Sequence, residues 1–309
     1  MSRPGLPRAP KALVGEVPGA PSGAQGGGRK NDHAPGFRGI RLNWDWVTRP
    51  LFGFALIAVV VAALYYGAPY VALAGAIAGI AGAREWHRLV GERVYGPCFL
   101  LACITLLAAL GATVAFPTRP YAWEILGSGA VLVGALAAIR GQFVFWHGFG
   151  PVYLGLAMLA LVVLRGQPNG AWIIAGMFIA IWATDTGALF TGNLIGGPRL
   201  WPSVSPSKTW AGTFGGIVIA AVSEAIYVKL LGGSPVFAGL FGAGIAIVSV
   251  LGDLFESWVK RVFQRKDSGG MIPGHGGMLD RIDSTLAVAP VLTALVIFAG
   301  LKPLFGAHP

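Results

Sequence analysis

Carboxylates concentrated in two polar stretches make the C-terminal third of the chain the predicted place of chemistry. Of the 13 acidic residues, six lie in or beside residues 191–210 and 256–284. They are Asp185, Asp253, Glu256, Asp267, Asp280 and Asp283. Asp185 and Asp253 lie near the ends of apolar runs, where a carboxylate facing lipid costs about 2.5–3.5 kcal/mol, so each is expected to face the protein interior or a wet cavity. The alternative is an interfacial carboxylate that reaches the lipid headgroups.

Four of these carboxylates form two pairs at helical spacing. Asp253 and Glu256 are three residues apart, as are Asp280 and Asp283 in the segment LDRID, so each pair shares a helix face. Two acidic pairs repel each other unless a cation lies between them, and ligand sets made only of oxygen favour Mg²⁺ or Mn²⁺ over zinc. The alternative for LDRID is a helix start with ion pairs to Arg281.

The segment between the two pairs, KRVFQRKDSGGMIPGHGG, has the composition of a phosphate-binding loop. Its cations are Lys260, Arg261, Arg265 and Lys266, and they are followed by five glycines and a proline. Lys and Arg bind phosphate, and a glycine-rich turn lets backbone N–H groups surround an anion. Cations beside metal-binding carboxylates therefore indicate a polyphosphate substrate. A basic loop with flexible glycines would explain the cations alone, but not why PGHGG leads directly into the second acidic pair.

Single residues in and around these stretches leave alternatives open. His275 is either a general acid/base or phosphate ligand, or a residue that orders the loop. His33, His87, His147 and His308 carry no functional signal. The upstream segment SPSKT supplies hydroxyls and a cation, from Ser205, Ser207, Lys208 and Thr209. It predicts either a second phosphate-binding loop or a turn and helix N-cap, and it is not a Walker A motif, because serine precedes the lysine.

The elements that position these residues are predicted to be membrane helices. The chain has 309 residues, 55% of them hydrophobic and 12% charged, with a mean hydropathy of +0.67. This composition excludes a soluble globular enzyme and is typical of a polytopic membrane protein. The two cysteines, Cys98 and Cys103, lie in one apolar run, which supports neither a disulfide framework nor a zinc site.

Hydropathy predicts an all-α polytopic integral membrane protein with about nine transmembrane helices and a cytoplasmic N-terminus. The apolar runs are approximately 51–66, 68–83, 98–116, 121–139, 151–164, 171–190, 211–232, 236–257 and 285–301. In this topology 19 of the 23 Lys and Arg residues lie on the cytoplasmic side. The net charge of +10 thus reflects topology, and no nucleic-acid partner is expected.

Composition divides the chain into three parts. Residues 1–45 are basic and rich in glycine and proline, with too few large apolar residues to fold, so they are predicted to be a disordered tail. Residues 46–180 are predicted to form N-terminal membrane helices. Residues 181–309 are predicted to form C-terminal membrane helices that carry the catalytic motifs.

The motif SWVKRVFQRKDSGGMIPGHGGMLDRID, residues 257–283, resembles the signature of the phosphatidate cytidylyltransferase (CDP-diacylglycerol synthase) family. The segment 185–212 is similar to that family's second conserved region. Leu189 replaces an aromatic residue usual in the family, and Gly270 stands where some members carry histidine; neither change removes a charged group. The resemblance implies cytidylyl transfer from CTP to phosphatidate, giving CDP-diacylglycerol and pyrophosphate for phospholipid synthesis.

The resemblance also implies cofactors, partners and residue roles. It implies Mg²⁺, with a second cation, divalent or K⁺, left open, and a homodimer in the bacterial cytoplasmic (inner) membrane whose active site faces the cytoplasm. Metal binding is assigned to Asp253, Glu256, Asp280 and Asp283. Substrate binding is assigned to Asp185, Ser205, Ser207, Lys208, Lys260, Arg261 and Lys266. The catalytic set is Asp253, Lys260, Arg261, Lys266, Asp267, His275, Asp280 and Asp283.

Two alternative functions are kept. A cation-coupled transporter would explain carboxylates within apolar runs, but not the phosphate-type loop. Another CTP-dependent membrane lipid enzyme, such as a polyprenol kinase or an archaeal-type lipid cytidylyltransferase, would share the cavity and the metal chemistry.

Overall fold

The computed structural model describes residues 45–93, 95–269 and 276–298, which form nine helices and one two-stranded hairpin. The helices are α1 (Asp45–Tyr66), α2 (Ala68–Leu89), α3 (Pro97–Ala115), α4 (Tyr121–Ile139), α5 (Val144–Arg165), α6 (Gly170–Ile195), α7 (Trp210–Leu230), α8 (Pro235–Val262) and α9 (Leu279–Phe298). Strands β1 (Arg199–Trp201) and β2 (Ser205–Thr209) pair antiparallel between α6 and α7. Apart from Asp45, the predicted disordered tail lies outside the described residues.

Seven of these helices, α3 to α9, are long and apolar enough to cross a membrane. This confirms a polytopic helical membrane protein. Within α1, Gly53–Tyr66 is a shorter apolar helix. The number of nine crossings and the cytoplasmic side of the N-terminus stay predictions.

Several helices extend beyond the apolar runs that predict them, among them α5, α8 and α9. Helix α5 begins at Val144 instead of residue 151, α8 continues to Val262 past residue 257, and α9 begins at Leu279 instead of residue 285. The added turns carry aromatic and charged residues, which end a hydropathy run without ending a helix. These turns bring side chains from the predicted motifs onto helices.

The hairpin was not predicted by the all-α fold class. It contains the segment SPSKT, for which a turn with a helix N-cap was one of the two predictions. Strand β2 ends at Thr209, whose hydroxyl oxygen accepts a hydrogen bond from the Gly212 amide at 3.0 Å and caps α7. An N-cap of this kind satisfies one of the free amides at a helix start. The N-cap is therefore confirmed, and the residues before it form a strand.

Helices α6 and α7, on either side of the hairpin, approach each other through glycines. A methyl group on Gly216 would lie 2.7 Å from the Thr184 carbonyl oxygen, and one on Gly187 would lie 3.0 Å from the Cα of Gly216. Small residues allow such close backbone contact between membrane helices. The packing fixes where the chain leaves α6 and enters α7, and so where the hairpin begins and ends.

Aromatic side chains join α2, α5 and α8 next to the polar motifs. The indole N–H of Trp86 donates to the Trp146 carbonyl oxygen at 2.8 Å. The ring of Trp86 also contacts Tyr153, and Tyr153 contacts Phe255. Helix α9 packs against all three of these helices, so the ends of α2 and α8 and the start of α9 meet.

Candidate active site

One cluster of charged side chains comes from four different elements. The Lys208 ammonium on β2 lies 2.5 Å from Oδ2 of Asp253 on α8. Asp185 on α6 and Asp283 on α9 both interact electrostatically with Asp253 and Lys208. Lys208 and Asp253 keep 25% and 29% of their side-chain surface exposed. The cluster is therefore open to a ligand from solution.

A second cluster lies between the end of α8 and the start of α9. The Lys260 ammonium contacts Asp280 Oδ1 at 2.6 Å and Glu256 Oε1 at 3.3 Å. Oδ2 of Asp280 accepts hydrogen bonds from the Ser268 hydroxyl at 2.8 Å and the Gly277 amide at 3.1 Å. Glu256 is fully buried and interacts electrostatically with Asp283. The two clusters therefore adjoin.

Arg261 connects the hairpin to α8. Its Nε donates to the Val204 carbonyl oxygen at 3.2 Å, and its Nη1 donates to the Arg265 carbonyl oxygen at 3.2 Å. Val204 is buried just before β2. Because Arg261 holds the turn of the hairpin against α8, it positions Lys208 opposite Asp253.

The other predicted site residues flank members of the two clusters along the chain. Ser205 is half-buried and Ser207 is exposed on β2, while Lys266 and Asp267 are exposed after α8. Asp267 lines a cavity of about 210 Å³ with Arg88 and Arg265. His275 lies outside the described residues.

The main residue that sequence reasoning missed is Glu85, near the end of α2. Its side chain is 1% exposed, and Oε2 accepts a hydrogen bond from the Leu279 amide at 2.8 Å. The Ser268 hydroxyl lies 3.5 Å from the same oxygen. A methyl group on Gly269 or Gly277 would lie 2.5 or 2.6 Å from the Glu85 carboxylate. Glu85 thus fixes the start of α9, which carries Asp280 and Asp283.

A buried tyrosine, Tyr153, lies near the carboxylates of both clusters. The Tyr153 hydroxyl on α5 is buried without a hydrogen-bond partner, and it interacts electrostatically with Glu256, Asp283 and Asp253. An unpaired buried hydroxyl is uncommon, because burial without a partner costs free energy. Hydropathy gave no signal for it, since it lies within an apolar run.

The first cluster fits a divalent cation bound together with phosphate. Asp185, Asp253 and Asp283 face Lys208, and Asp185 also interacts with Arg281, so a divalent cation would offset the excess negative charge. The oxygen donors suit Mg²⁺, which binds through one or two carboxylates with waters and substrate phosphates completing its shell. In the second cluster, both oxygens of Asp280 already have partners.

The fold and the site define a polytopic membrane protein whose charged site suits a phosphate-bearing substrate and a divalent cation. The sequence model of the Cytidylyltransferase family matches residues 47–299, and the chain belongs to this family. The chain is 37% identical to the phosphatidate cytidylyltransferase of Brucella suis over 69% of this chain and 79% of that protein. Identity to the enzyme of the same name from Pseudomonas aeruginosa is 34% (77% and 91% covered), and to that from Haemophilus influenzae 32% (81% and 98%). The predicted family membership is confirmed.

Proposed function

We propose that this protein transfers the cytidylyl group of CTP to phosphatidate, producing CDP-diacylglycerol and pyrophosphate for phospholipid synthesis. The similarity to phosphatidate cytidylyltransferases of several bacteria supports this reaction. The observation that carries it is the pair of adjoining clusters, in which Lys208 and Lys260 lie against carboxylates at the meeting point of α2, α6, α8 and α9. A transporter site would have no need of the two lysines and the adjacent basic segment.

The reaction requires positioning and charge neutralisation more than a strong base. A phosphate monoester has its second pKa at about 6, so phosphatidate is already largely dianionic at neutral pH. Its oxygen forms a bond to the α-phosphorus of CTP, and the bond from that phosphorus to the oxygen bridging to the β-phosphate breaks. Pyrophosphate leaves with the electron pair. The main obstacle is repulsion between two highly charged phosphate groups.

The chain's own cations reduce this repulsion. Lys208 is partly exposed in its pair with Asp253, so its ammonium can turn to a phosphate oxygen while staying beside the carboxylate. Lys260 is more buried, with 13% of its side chain exposed, and Glu256 and Asp280 fix its direction. Arg261 and Lys266 add positive charge next to it. Ser205 and Ser207 offer hydroxyls to the same phosphates.

We assign Mg²⁺ to the first cluster. Of the four predicted metal ligands, Asp253 and Asp283 are proposed to hold it, with Asp185 as a further carboxylate. Glu256 and Asp280 are proposed to act through Lys260. When bound, Mg²⁺ neutralises charge on the phosphates. A second cation, divalent or K⁺, stays within the proposal, and Asp267 and His275 are proposed to contribute without a defined role.

The setting of the enzyme is also part of the proposal. The distribution of basic residues favours an N-terminus and an active site on the cytoplasmic side, where CTP is found. The family resemblance supports the bacterial cytoplasmic (inner) membrane. All described site elements lie at the same end of the bundle, which agrees with one-sided access to CTP. A homodimer is proposed from the family resemblance alone.

The test is product formation by purified protein with labelled CTP, Mg²⁺ and a lipid acceptor. We expect a labelled liponucleotide with phosphatidate and none with diacylglycerol or polyprenol. Lys208→Gln should lower the rate at least tenfold, whereas Lys229→Gln, at the other end of α7, should not. Label transfer to polyprenol, or CTP left unconsumed, would contradict the proposal.

A further inference from the structure

A second group of potential metal ligands lies away from the carboxylate clusters. It consists of His87 at the end of α2, Glu92 in the α2–α3 loop and His147 in the first turn of α5. Their ligand atoms lie within 4.8 Å of one another. Their exposed fractions are 1%, 6% and 0%. Among the residues that the structure describes, this is the only group of three or more such side chains with this spacing.

The two distances measured from His87 are close to those between ligands of a bound transition metal. Nδ1 of His87 lies 2.8 Å from Nδ1 of His147 and 3.7 Å from Oε2 of Glu92. In a tetrahedral zinc site, with ligand bonds of about 2.0–2.1 Å, neighbouring ligand atoms are about 3.3 Å apart. The two distances from His87 Nδ1 are each within about half an ångström of this value, and all three ligand atoms lie within 4.8 Å of one another. Binding of one ion would therefore also draw the Glu92 carboxylate and the His147 ring closer together.

The carboxylate is held in place by the start of α3. Oε1 and Oε2 of Glu92 accept hydrogen bonds from the amides of Cys98 and Phe99 at 2.9 and 3.0 Å. Each oxygen keeps a second lone-pair direction. Contacts of this kind orient metal-binding carboxylates in proteins.

The charge of Glu92 also points to a ligand. No Lys or Arg forms a salt bridge with Glu92 within the described part of the chain. One proton shared between the two Nδ1 atoms would satisfy the histidine pair, but it would leave the nearby Glu92 oxygen outside hydrogen-bond distance. A divalent cation would use all three convergent atoms and offset the buried negative charge.

We propose that His87, Glu92 and His147 form a structural metal site for zinc or a similar transition metal. Two imidazoles and a carboxylate suit zinc better than Mg²⁺. The ion would tie the end of α2, and with it Glu85 two residues earlier, to the starts of α3 and α5. This site is independent of the proposed reaction.

The test is metal content, measured on full-length protein without a histidine tag. Protein stripped with a chelator is loaded with ZnCl₂ in excess MgCl₂, desalted and analysed for zinc by mass spectrometry. We expect one zinc per chain, a rise in Tm on loading, and visible d–d absorption when Co²⁺ replaces zinc. His87→Gln and His147→Gln should reduce zinc to background, and His33→Gln should not.

Glu92→Gln serves as a second variant if a histidine variant does not fold. Its amide oxygen can still accept a backbone hydrogen bond at the start of α3, but it is a weaker metal ligand. We expect it to stay folded and to lose zinc during desalting. Zinc below a tenth of an equivalent in the wild type, or equal zinc in wild type and all variants, would overturn the proposal and leave a shared proton as the link between the histidines.

Discussion

Replacing Glu85 with alanine should slow catalysis, although Glu85 belongs to none of the motifs. In the structure its carboxylate accepts the Leu279 amide at 2.8 Å and lies against Ser268, Gly269 and Gly277. Ser268 in turn donates to Asp280 at 2.8 Å. Loss of the carboxylate would release the start of α9 and change the direction of Asp280. Glu85 is therefore a positioning residue.

The size of the effect follows from the hydrogen bond that is lost. A bond between an amide and a charged group contributes about 1.5–3 kcal/mol, and each 1.36 kcal/mol is a factor of ten in rate. If this energy orients Asp280 in the transition state, Glu85→Ala lowers kcat about 10- to 150-fold. Glu85→Gln keeps an acceptor oxygen without the charge, and neutral hydrogen bonds are about half as strong. We therefore expect the kcat of Glu85→Gln to lie between those of the wild type and Glu85→Ala.

The assay is the initial rate of liponucleotide formation over titrations of CTP and Mg²⁺, with Tm measured on the same samples. Glu124→Ala, an exposed carboxylate in the first turn of α4, is the matched control and should leave kcat unchanged. A wild-type kcat in Glu85→Ala would refute the positioning role. A lower rate in Glu85→Gln than in Glu85→Ala would show that the hydrogen bond to Leu279 is not the cause.

Three further predictions concern the Asp280–Lys260 pair, the topology and the packing. Asp280→Asn should lower kcat by two orders of magnitude or more in a Mg²⁺ titration, whereas a purely surface role would cost under about 1 kcal/mol. In a background without the native cysteines, Ser203→Cys should be labelled only from the cytoplasmic side and Ser234→Cys only from the opposite side. Labelling of both cysteines from the same side would show that α7 does not cross the membrane. Gly216→Ala should lower the free energy of unfolding by about 1–3 kcal/mol, seen as a lower Tm, whereas Gly244→Ala, with no atom within 4 Å of its added methyl, should not; equal Tm values would contradict the α6–α7 contact.

The sequence predicted which residues carry charge at the site, but not how they are partnered. Asp253 and Glu256 are three residues apart and were predicted to act as a pair. In the structure Asp253 contacts Lys208 and Glu256 contacts Lys260. Spacing along one helix shows that two residues share a face. It does not show which basic residue each carboxylate meets, because that depends on the element that packs against the face. The position of Lys208 depends on a hairpin that hydropathy does not reveal.

Residues with partners far along the chain were missed for the same reason. Glu85 follows an apolar run and lies in no recognised motif, and its partner Leu279 is 194 residues away. His87 and His147 were judged to carry no signal, yet their Nδ1 atoms are 2.8 Å apart. One signal was available for α2: its last turns contain several polar side chains, which a helix that only packs against apolar neighbours does not require.

The hydrogen bond between Glu85 and Leu279 also constrains how the protein is made. During synthesis, α2 leaves the ribosome long before α9, so Glu85 lacks its Leu279 partner until most of the chain has been made. A nascent chain that stops after α8 already contains Lys208, Asp253 and Lys260, but it lacks Asp280 and Asp283. Contacts across such long separations form late, because a long loop must close first. Insertion of α9 therefore completes the site in one step, and a chain shortened before α9 should be inactive even when the preceding helices fold correctly.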